Sequence, residues 1–173
     1  PGQTAWTRGG GGLWTIGSYD AVNDNFIWGT GNPVPTYDPE FRPGDNLFTD
    51  ATIAFDHDTG AMNWYFQYTP GDSWDYDENG VAMVYDAPVN GEMTHIVGHF
   101  GRNGFYYNLD AATGAFINAS QWVNELNWTA GIDPKTGLPV EYDPALDVQQ
   151  YVPASRTMRG EGSGRVRFDG DDV

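Results

Sequence analysis

The shortness of the apolar runs is the feature that most constrains the fold, because each run ends at turn-forming residues. Glycine (23) and proline (11) supply 34 of the 173 residues, well above the roughly 12% of average usage. Sustained helical periodicity is absent, and residues 117–126 carry only a weak helical pattern. The chain is therefore predicted to be all-β, with meandering antiparallel strands. The clearest strand candidates are Phe26–Trp28, Ala51–Phe55, Trp64–Tyr68, Val81–Tyr85 and Gly104–Leu109.

A short motif, Leu/Phe-Asp-x-x-Thr-Gly, occurs twice, with its aspartates at Asp56 and Asp110. The Asp and Thr side chains can bond local amides and the Gly can take a positive φ, so the motif predicts a tight hairpin turn. Trp64, four residues after the first turn, is placed to pack against a neighbouring sheet. Four-stranded repeats of roughly 40–50 residues are typical of propeller blades. The sequence thus predicts a partial β-propeller over residues 1–173, with about three blades of four-stranded antiparallel sheet.

Two or three blades cannot close a ring, because a blade buries its faces only against its neighbours. We therefore expect the chain to be a fragment of a longer protein and to be inactive alone. The tail from Gly160 to Val173 is predicted to be flexible. Asp56-x-Asp58-x-Gly60 also fits the start of a calcium loop, but its downstream ligands are missing, so the hairpin turn is favoured.

The charge and the composition exclude several classes of partner and chemistry. The net charge of -16 repels phosphate backbones and anionic lipid headgroups. The absence of cysteine excludes a disulfide, a thiolate zinc site and covalent haem within this segment. No apolar run reaches the ~18 residues of a membrane span. The excess carboxylates could attract hard cations, although a solvated acidic surface accounts for most of them.

Asp75 and Asp77, separated by one residue, form the first candidate site. If Trp74 to Asp77 is extended, the two carboxylates project to the same face. Neighbouring carboxylates repel each other unless a cation lies between them. The pair could bind a metal, one member could accept a proton, or both could face water. Acidity alone favours the last interpretation.

Three further residues stand out by their surroundings in the sequence. Asn32 lies in a glycine-flanked turn before Pro-x-Pro, where its amide oxygen suits an oxygen-only metal shell, although Asn-Pro is ordinarily a simple turn. Trp14 follows four glycines, which would let a flat group approach closely, and a tryptophan of the propeller core is an equal alternative. Arg102 would by default be a surface or turn charge. The three histidines show no metal-ligand spacing.

Taken in order, these segments resemble the quinoprotein alcohol dehydrogenases, the eight-bladed propeller family that includes methanol dehydrogenase. The resemblance covers roughly residues 9–160 without a break. The matching phrases are Gly-Gly-Gly-Leu-Trp14, Trp28-Gly-Thr-Gly-Asn32-Pro, Arg42-Pro-Gly-Asp-Asn46-Leu, Tyr68-Thr-Pro-Gly-Asp-Ser-Trp74-Asp75-Tyr, Arg102-Asn-Gly104 and Asn127-Trp-Thr-Ala-Gly-Ile-Asp-Pro-Lys-Thr-Gly137.

The resemblance implies a role for each candidate residue. Trp14 matches the tryptophan beneath the ring of pyrroloquinoline quinone (PQQ), and Asn32 matches an amide ligand of the metal. Asp75 matches the catalytic base at the metal, and Arg102 matches the arginine that hydrogen-bonds the reactive quinone carbonyl. Asp77 matches the extra aspartate of the lanthanide-dependent members, where calcium-dependent enzymes usually carry a small residue. The implied cofactors are PQQ and Ca²⁺ or a lanthanide ion, with Asp77 favouring the lanthanide.

The implied reaction is the oxidation of an alcohol to an aldehyde. Asp75 would take the hydroxyl proton while a hydride moves from the carbinol carbon to the metal-polarised quinone carbonyl. Arg102 would stabilise the negative charge that develops on the oxygen. A trivalent cation needs more anionic oxygen than calcium and polarises a carbonyl more strongly. Asp77 would supply the additional carboxylate oxygen.

The resemblance also implies the surroundings in which the parent protein works. It implies a small alcohol substrate, a cytochrome c-type electron acceptor and a periplasmic location. It is also compatible with a homodimer of the parent protein. A non-catalytic propeller adaptor would explain the Asp-x-x-Thr-Gly turns, but not Trp14, Asn32, Asp75 and Arg102 together. A carbohydrate-binding β module is suggested by the seven Trp and ten Tyr, but most aromatic residues lie in runs that propeller packing explains.

Overall fold

The computed structural model describes residues 9–143, and this part of the chain contains ten strands and no helix. The all-β prediction is confirmed. The weak helical candidate at residues 117–126 is wrong, because a strand covers its first half. The strands are β1 Ser18–Asp20, β2 Asn25–Gly29, β3 Ala51–Asp56, β4 Met62–Gln67, β5 Met83–Val89, β6 Glu92–Phe100, β7 Phe105–Asp110, β8 Phe116–Gln121, β9 Gly131–Ile132 and β10 Pro139–Val140.

The strands form two four-stranded antiparallel sheets and one two-stranded ribbon. In both sheets the spatial order follows the chain order, β1-β2-β3-β4 and β5-β6-β7-β8, and β9 pairs with β10. Each sheet is therefore a meander, as a propeller blade requires. The predicted flexible tail from Gly160 to Val173 lies outside the described residues.

The two sheets repeat one another in detail. A register shift interrupts the β3–β4 pairing between Ala54 and Phe55, and the same irregularity interrupts the β7–β8 pairing between Asn108 and Leu109. An equivalent bulge twists both sheets in the same way just before the hairpin turn. Burial alternates along β7, where Phe105, Tyr107 and Leu109 are buried, as expected for a strand with one face toward the core.

Asp56-x-x-Thr-Gly60 is a hairpin turn, as the sequence predicts. The Asp56 carboxylate accepts hydrogen bonds from the Thr59 amide at 2.8 Å and from its hydroxyl at 2.6 Å, and Gly60 has a φ of 70°. The Asp110 carboxylate makes the same two bonds to Thr113, at 2.9 and 2.7 Å. The calcium-loop alternative is not needed, because the Asp56 side chain already serves the turn.

A third turn of this kind, Asp133-Pro-Lys-Thr-Gly137, joins β9 to β10. The Asp133 carboxylate accepts from the amides of Lys135 and Thr136 at 2.7 and 3.0 Å. The Gly137 amide donates to the Asp133 carbonyl at 2.9 Å, which closes the turn as in the other two copies.

Each sheet is joined to the next unit by an aromatic ring that lies over the next turn. Trp64 donates through its Nε1 to the Ala111 carbonyl at 3.0 Å, and a Cβ at Gly114 would come within 2.5 Å of the indole. Phe116 covers Gly137 in the same manner, with a hypothetical Cβ only 2.3 Å from its ring. Glycine is thus required at both turns by contact as well as by positive φ. The predicted packing of Trp64 against the neighbouring sheet is confirmed.

A second contact joins the two sheets through His95. Its Nε2 lies 2.9 Å from Asp20 of β1, and its Nδ1 lies 2.6 Å from Asp86 of β5. Hydrogen bonds to Asp20 and Asp86 raise the pKa of His95. Burial acts to raise the pKa of Asp20, but bonds from Asn23 and His95 outweigh it and leave that pKa below its ordinary value. The imidazolium between two carboxylates therefore forms a clasp between the sheets.

Candidate active site

The glycine run before Trp14 forms the first side of the site by pairing with the chain that leaves β2. The Gly11 amide donates to the Asn32 carbonyl at 2.9 Å, and the Gly31 amide donates to the Gly12 carbonyl at 3.0 Å. A Cβ at Gly10 would come within 2.9 Å of the Val34 nitrogen, so a larger residue would not fit there. The glycines thus allow two backbone segments to approach closely, and this brings Trp14 beside Gly31.

Trp14 presents its ring to the surface, with 64% of the residue exposed. With the Asn79 amide oxygen turned toward the ring, Trp14 Nε1 donates to it across 2.7 Å. The amide nitrogen of Asn79 then donates to the Asp77 carbonyl at 3.0 Å. The indole is thus fixed by its edge, while its faces stay available to a flat ligand. Among the described residues no side chain covers most of the Trp14 ring, which favours the cofactor interpretation of Trp14 over a tryptophan of the propeller core.

The Asn32 side chain is held so that its oxygen is the available atom. Its Nδ2 donates to the Pro33 carbonyl at 2.9 Å and to the Thr36 hydroxyl at 2.8 Å. Both amide protons are therefore used, and Oδ1 is left to accept or to coordinate. The Asn32 backbone amide donates to Asp77 Oδ1 at 3.0 Å, which joins the two predicted metal ligands directly.

The segment from Trp74 to Asp77 is not an extended strand. The sequence argument for the Asp75/Asp77 pair assumed that it is. Both aspartates have left-handed backbone conformations, with φ of 65° and 53°, an uncommon state for residues other than glycine. The Asp72 carboxylate fixes the segment by accepting from the amides of Trp74 and Tyr76 at 2.8 and 2.9 Å. Because the rings of Trp74 and Tyr76 are buried, the aspartates still alternate with core residues.

The Asp77 carboxylate lies at the centre of the site. One oxygen accepts from the Asn32 amide, and the other lies 3.6 Å from Nη1 of Arg102. A Cβ at Gly31 would be 3.0 Å from Asp77 Oδ1 and 3.3 Å from Trp14 Nε1, so glycine keeps this approach open. The fold therefore brings together Trp14, Asn32, Asp77 and Arg102, which are distant in the sequence.

Asp75 lies beside the loop that follows Asn32. The Tyr37 hydroxyl donates to Asp75 Oδ2 at 3.2 Å, and Tyr37 is largely exposed. Arg42 holds this loop in place, since its guanidinium donates to the carbonyls of Pro35 at 2.7 Å and Thr36 at 2.6 Å. The same guanidinium donates to the Asp72 carbonyl, which connects the loop to the segment that carries Asp75 and Asp77.

Two buried carboxyl groups lie behind the site. Burial raises the pKa of Asp72 to about 7. Burial also raises the pKa of Asp50 well above its ordinary value, and the negative charge of Asp72 adds to the effect. A raised pKa favours the uncharged form of a carboxyl group, so these two buried residues add little negative charge behind Asp77.

Glu78 is a residue of the site that the sequence alone does not indicate. It is fully buried, and its Oε2 accepts from His99 Nε2 and from the Arg102 amide, both at 2.9 Å. Its Oε1 accepts from the Asn103 amide at 3.1 Å. The only signal in the sequence is its position next to Asp77, and nothing there shows that His99 and the Arg102 loop lie within reach.

A cluster of Asp24, His57 and Asp58 lies at the opposite end of the first sheet. Within residues 9–143, these three side chains offer ligand atoms that lie within 4.8 Å of one another, close enough to share an ion. All three residues are exposed. It includes none of the predicted metal ligands. The predicted set differs in kind, since it combines the Asn32 amide with the carboxylates of Asp75 and Asp77. Amide and carboxylate oxygens together suit a hard cation.

Comparison with known proteins matches the chain to one family along most of its length. Residues 1–121 match the family model described as the glucose/ethanol/alcohol dehydrogenase β-propeller domain of PQQ enzymes. The dehydrogenase subunit of alcohol dehydrogenase (quinone) from Gluconobacter oxydans is 45% identical over 78% of this chain and 18% of its own length. The corresponding subunit from Gluconacetobacter polyoxogenes is 43% identical over 81% of this chain. The chain thus spans about a fifth of the length of the curated relatives it matches.

Two solved structures show the same architecture. A europium-containing methanol dehydrogenase matches with a TM-score of 0.76 and 42% identity, over 81% of this chain and 24% of that one. The quinohemoprotein alcohol dehydrogenase from Comamonas testosteroni matches with a TM-score of 0.73 and 37% identity, over 79% of this chain and 21% of that one. The partial β-propeller prediction is confirmed, and the chain belongs to the family of PQQ-dependent quinoprotein alcohol dehydrogenases.

Proposed function

We propose that the full-length protein oxidises a small alcohol to an aldehyde, using PQQ and a lanthanide ion. The observation that carries the proposal is the position of Asp77, which touches both the metal-ligand candidate Asn32 and the cofactor-facing candidate Arg102. Support also comes from the europium-containing methanol dehydrogenase among the similar structures. In the calcium-dependent members that the sequence resembles, a small residue usually stands at the position of Asp77.

The residues present fit the two groups. Asn32 Oδ1, Asp75 and Asp77 would hold the cation, because together they offer the amide and carboxylate oxygens that suit a hard cation. Trp14 would hold PQQ against the exposed face of its anchored ring. PQQ, when bound with its cation, supplies a polarised quinone carbonyl that accepts the hydride.

The chain contributes a base and a cationic donor to the reaction. Asp75 would accept the proton of the substrate hydroxyl as the carbon–hydrogen bond breaks. Arg102 would donate hydrogen bonds to the oxygen on which negative charge develops, and Asp77 limits where its guanidinium can go. The Tyr37 hydroxyl, which donates to Asp75 Oδ2, would help to orient that carboxylate.

The proposal extends to the partners and the compartment of the full-length protein. A cytochrome c-type protein is the proposed electron acceptor, as the family resemblance implies, and the quinohemoprotein alcohol dehydrogenase among the similar structures supports a haem-linked acceptor. A periplasmic location and a homodimer follow from the resemblance and remain part of the proposal. Residues 9–143 contain no helix that is long and apolar enough to cross a membrane.

Reconstitution of the full-length protein with PQQ and either Ca²⁺ or La³⁺ tests the proposal, with a dye as electron acceptor. We expect alcohol oxidation with La³⁺, and Asp77→Ala should lower that activity by about 100-fold because a charged ligand is lost. Glu92→Ala, which removes an exposed carboxylate from β6, is the control and should leave the activity unchanged.

The other outcomes of this experiment are equally informative. Equal activity with Ca²⁺, insensitive to Asp77→Ala, would retain a PQQ dehydrogenase and reject the lanthanide. Failure to bind PQQ with either ion would reject the enzyme and favour a non-catalytic propeller adaptor.

A further inference from the structure

We infer that Glu78 is a positioning residue that fixes the backbone of Arg102, and that it thereby places the guanidinium for its role at the cofactor. The inference rests on the proposed function, because Arg102 has that role only in a PQQ enzyme. Glu78 itself would not contact the cofactor, since it is fully buried and its side chain faces the interior.

Glu78 is built into the fold as a hydrogen-bond acceptor. Its two oxygens receive three hydrogen bonds, from His99 Nε2, the Arg102 amide and the Asn103 amide, at 2.9 to 3.1 Å. A carboxylate buried without such donors would be strongly unfavourable. The three donors therefore explain how the fold accommodates Glu78, and two of the three belong to the loop that carries Arg102.

Asp77 and Glu78 hold Arg102 at two different points. Asp77 Oδ2 lies 3.6 Å from the Arg102 guanidinium, while Glu78 Oε2 accepts from the Arg102 amide. Because the two acids are consecutive, their side chains leave the backbone in different directions. One acid orients the end of the arginine side chain, and the other fixes its origin.

The surrounding structure leaves Glu78 little freedom to move. A Cβ at Gly29 would lie 2.3 Å from the Glu78 carbonyl, so β2 packs directly on its backbone. His99 is buried and its ring contacts Tyr68, with centroids 4.7 Å apart. Asn103 is anchored in turn, because its Nδ2 donates to the Tyr107 hydroxyl at 2.8 Å. Glu78 thus connects two rigid parts of the second sheet.

Glu78→Gln is the substitution that tests this role most directly. Glutamine has the same shape, but one of its two acceptor oxygens becomes an NH₂ donor. Whichever way the amide turns, an NH₂ group then faces at least one of the loop amides, from Arg102 or Asn103. The loop should loosen, and the guanidinium should lose its fixed position.

A double-mutant cycle on the full-length protein, loaded with PQQ and La³⁺, distinguishes positioning from general stability. Glu78→Gln should lower kcat by about tenfold or more and change the KM for alcohol by less than about twofold. In an Arg102→Ala background the same substitution should change kcat by less than about twofold, because its effect passes through Arg102. Glu92→Gln, at an exposed glutamate of β6, is the matched control and should change neither constant.

The outcomes separate failure of the inference from failure of the proposed function. An equal fold-loss from Glu78→Gln in both backgrounds would overturn the positioning role alone. If Arg102→Ala changed neither kcat nor the affinity for PQQ, measured by quenching of tryptophan fluorescence, both the role of Arg102 and the inference would fail.

Hydrogen exchange in the unaltered protein without PQQ gives a second readout that does not depend on a variant folding. The Arg102 and Asn103 amides should exchange at least about 100-fold more slowly than free loop amides, because both are bonded to a buried carboxylate. In Glu78→Gln at least one of them should exchange about tenfold faster. Rapid exchange of both amides in the unaltered protein would overturn the inference.

Discussion

At the scale of single residues, the site is made by side chains whose neighbours restrict which of their atoms is available. Asn32 uses its amide protons on Pro33 and Thr36, so its oxygen remains for a cation. Trp14 uses its N–H on Asn79, so its ring faces remain for a flat ligand. The chemistry of the site is therefore set as much by the supporting hydrogen bonds as by the types of residue.

Trp14 gives a prediction that separates binding from folding. Because most of the residue is exposed, the main cost of Trp14→Ala should be the lost hydrogen bond to the buried Asn79, and the free energy of unfolding should fall by only about 1–3 kcal/mol. Its affinity for PQQ should fall by roughly tenfold or more, since the stacking surface is lost. Trp14→Phe keeps a flat ring without the N–H, so its affinity for PQQ should lie between those of the unaltered protein and Trp14→Ala. Calorimetric titration with PQQ and thermal unfolding of the full-length variants check both parts.

A large loss of stability in Trp14→Ala without a loss of PQQ affinity would contradict this assignment. The indole would then support the fold, and the exposed face would have no ligand.

The sequence indicates the members of the site better than it indicates their support. Trp14, Asn32, Asp77 and Arg102 lie in distinctive local contexts, and the fold brings them together as the resemblance implies. Glu78 escapes such reasoning because its role depends on contacts 21 to 25 residues away. The left-handed conformation of Asp75 and Asp77 escapes it too, because the Asp72 carboxylate and the buried rings impose it against local preference.

At the scale of elements, the Asp-x-x-Thr-Gly turn has two functions, and the sequence shows only one of them. The hydrogen bonds within the turn follow from the residue types. The second function, as a seat for a ring from the previous sheet, appears only in the structure, where Trp64 covers Gly114. The turn at Gly60 has the same φ, but among the described residues a Cβ there would meet nothing within 4 Å.

Backbone strain and ring contact can be separated by a matched pair of substitutions. Gly91→Ala, at the β5–β6 turn, where φ is 90° and a Cβ would meet nothing within 4 Å among the described residues, should cost about 1–2 kcal/mol from the left-handed backbone alone. Gly114→Ala should cost about 1–3 kcal/mol more than that, because its methyl group would also displace the indole of Trp64. Thermal and urea unfolding of the full-length variants measure the difference. Equal losses at the two positions would show that the ring contact does not contribute.

At the scale of the whole molecule, the clasp at His95 makes the contact between the sheets depend on pH. The raised pKa of His95 gives a stabilisation that is complete below the unfolded value of about 6.5 and is lost as the pH rises through the folded pKa. The lowered pKa of Asp20 gives a stabilisation that is complete above about pH 4 and is lost as the pH falls. The clasp should therefore be strongest between about pH 4 and 6.5.

The midpoint of thermal unfolding, measured across pH, tests this expectation. The full-length protein should lose stability above pH 6.5 more steeply than His95→Gln, which cannot be protonated. His57→Gln is the control, because His57 is exposed and its acidic neighbours Asp24 and Asp58 belong to the same sheet. Parallel pH profiles for the unaltered protein and His95→Gln would contradict the role of the clasp.

The ring-over-turn contact between successive units also gives the chain a direction. Among the described residues, each of the two sheets projects an aromatic ring onto the glycine turn of the next unit, Trp64 onto Gly114 and Phe116 onto Gly137. The second sheet therefore meets its two neighbours through different features, a glycine turn toward the first sheet and a projecting ring toward the ribbon. Because the two sides are not interchangeable, the units can follow one another in only one sense around the propeller axis.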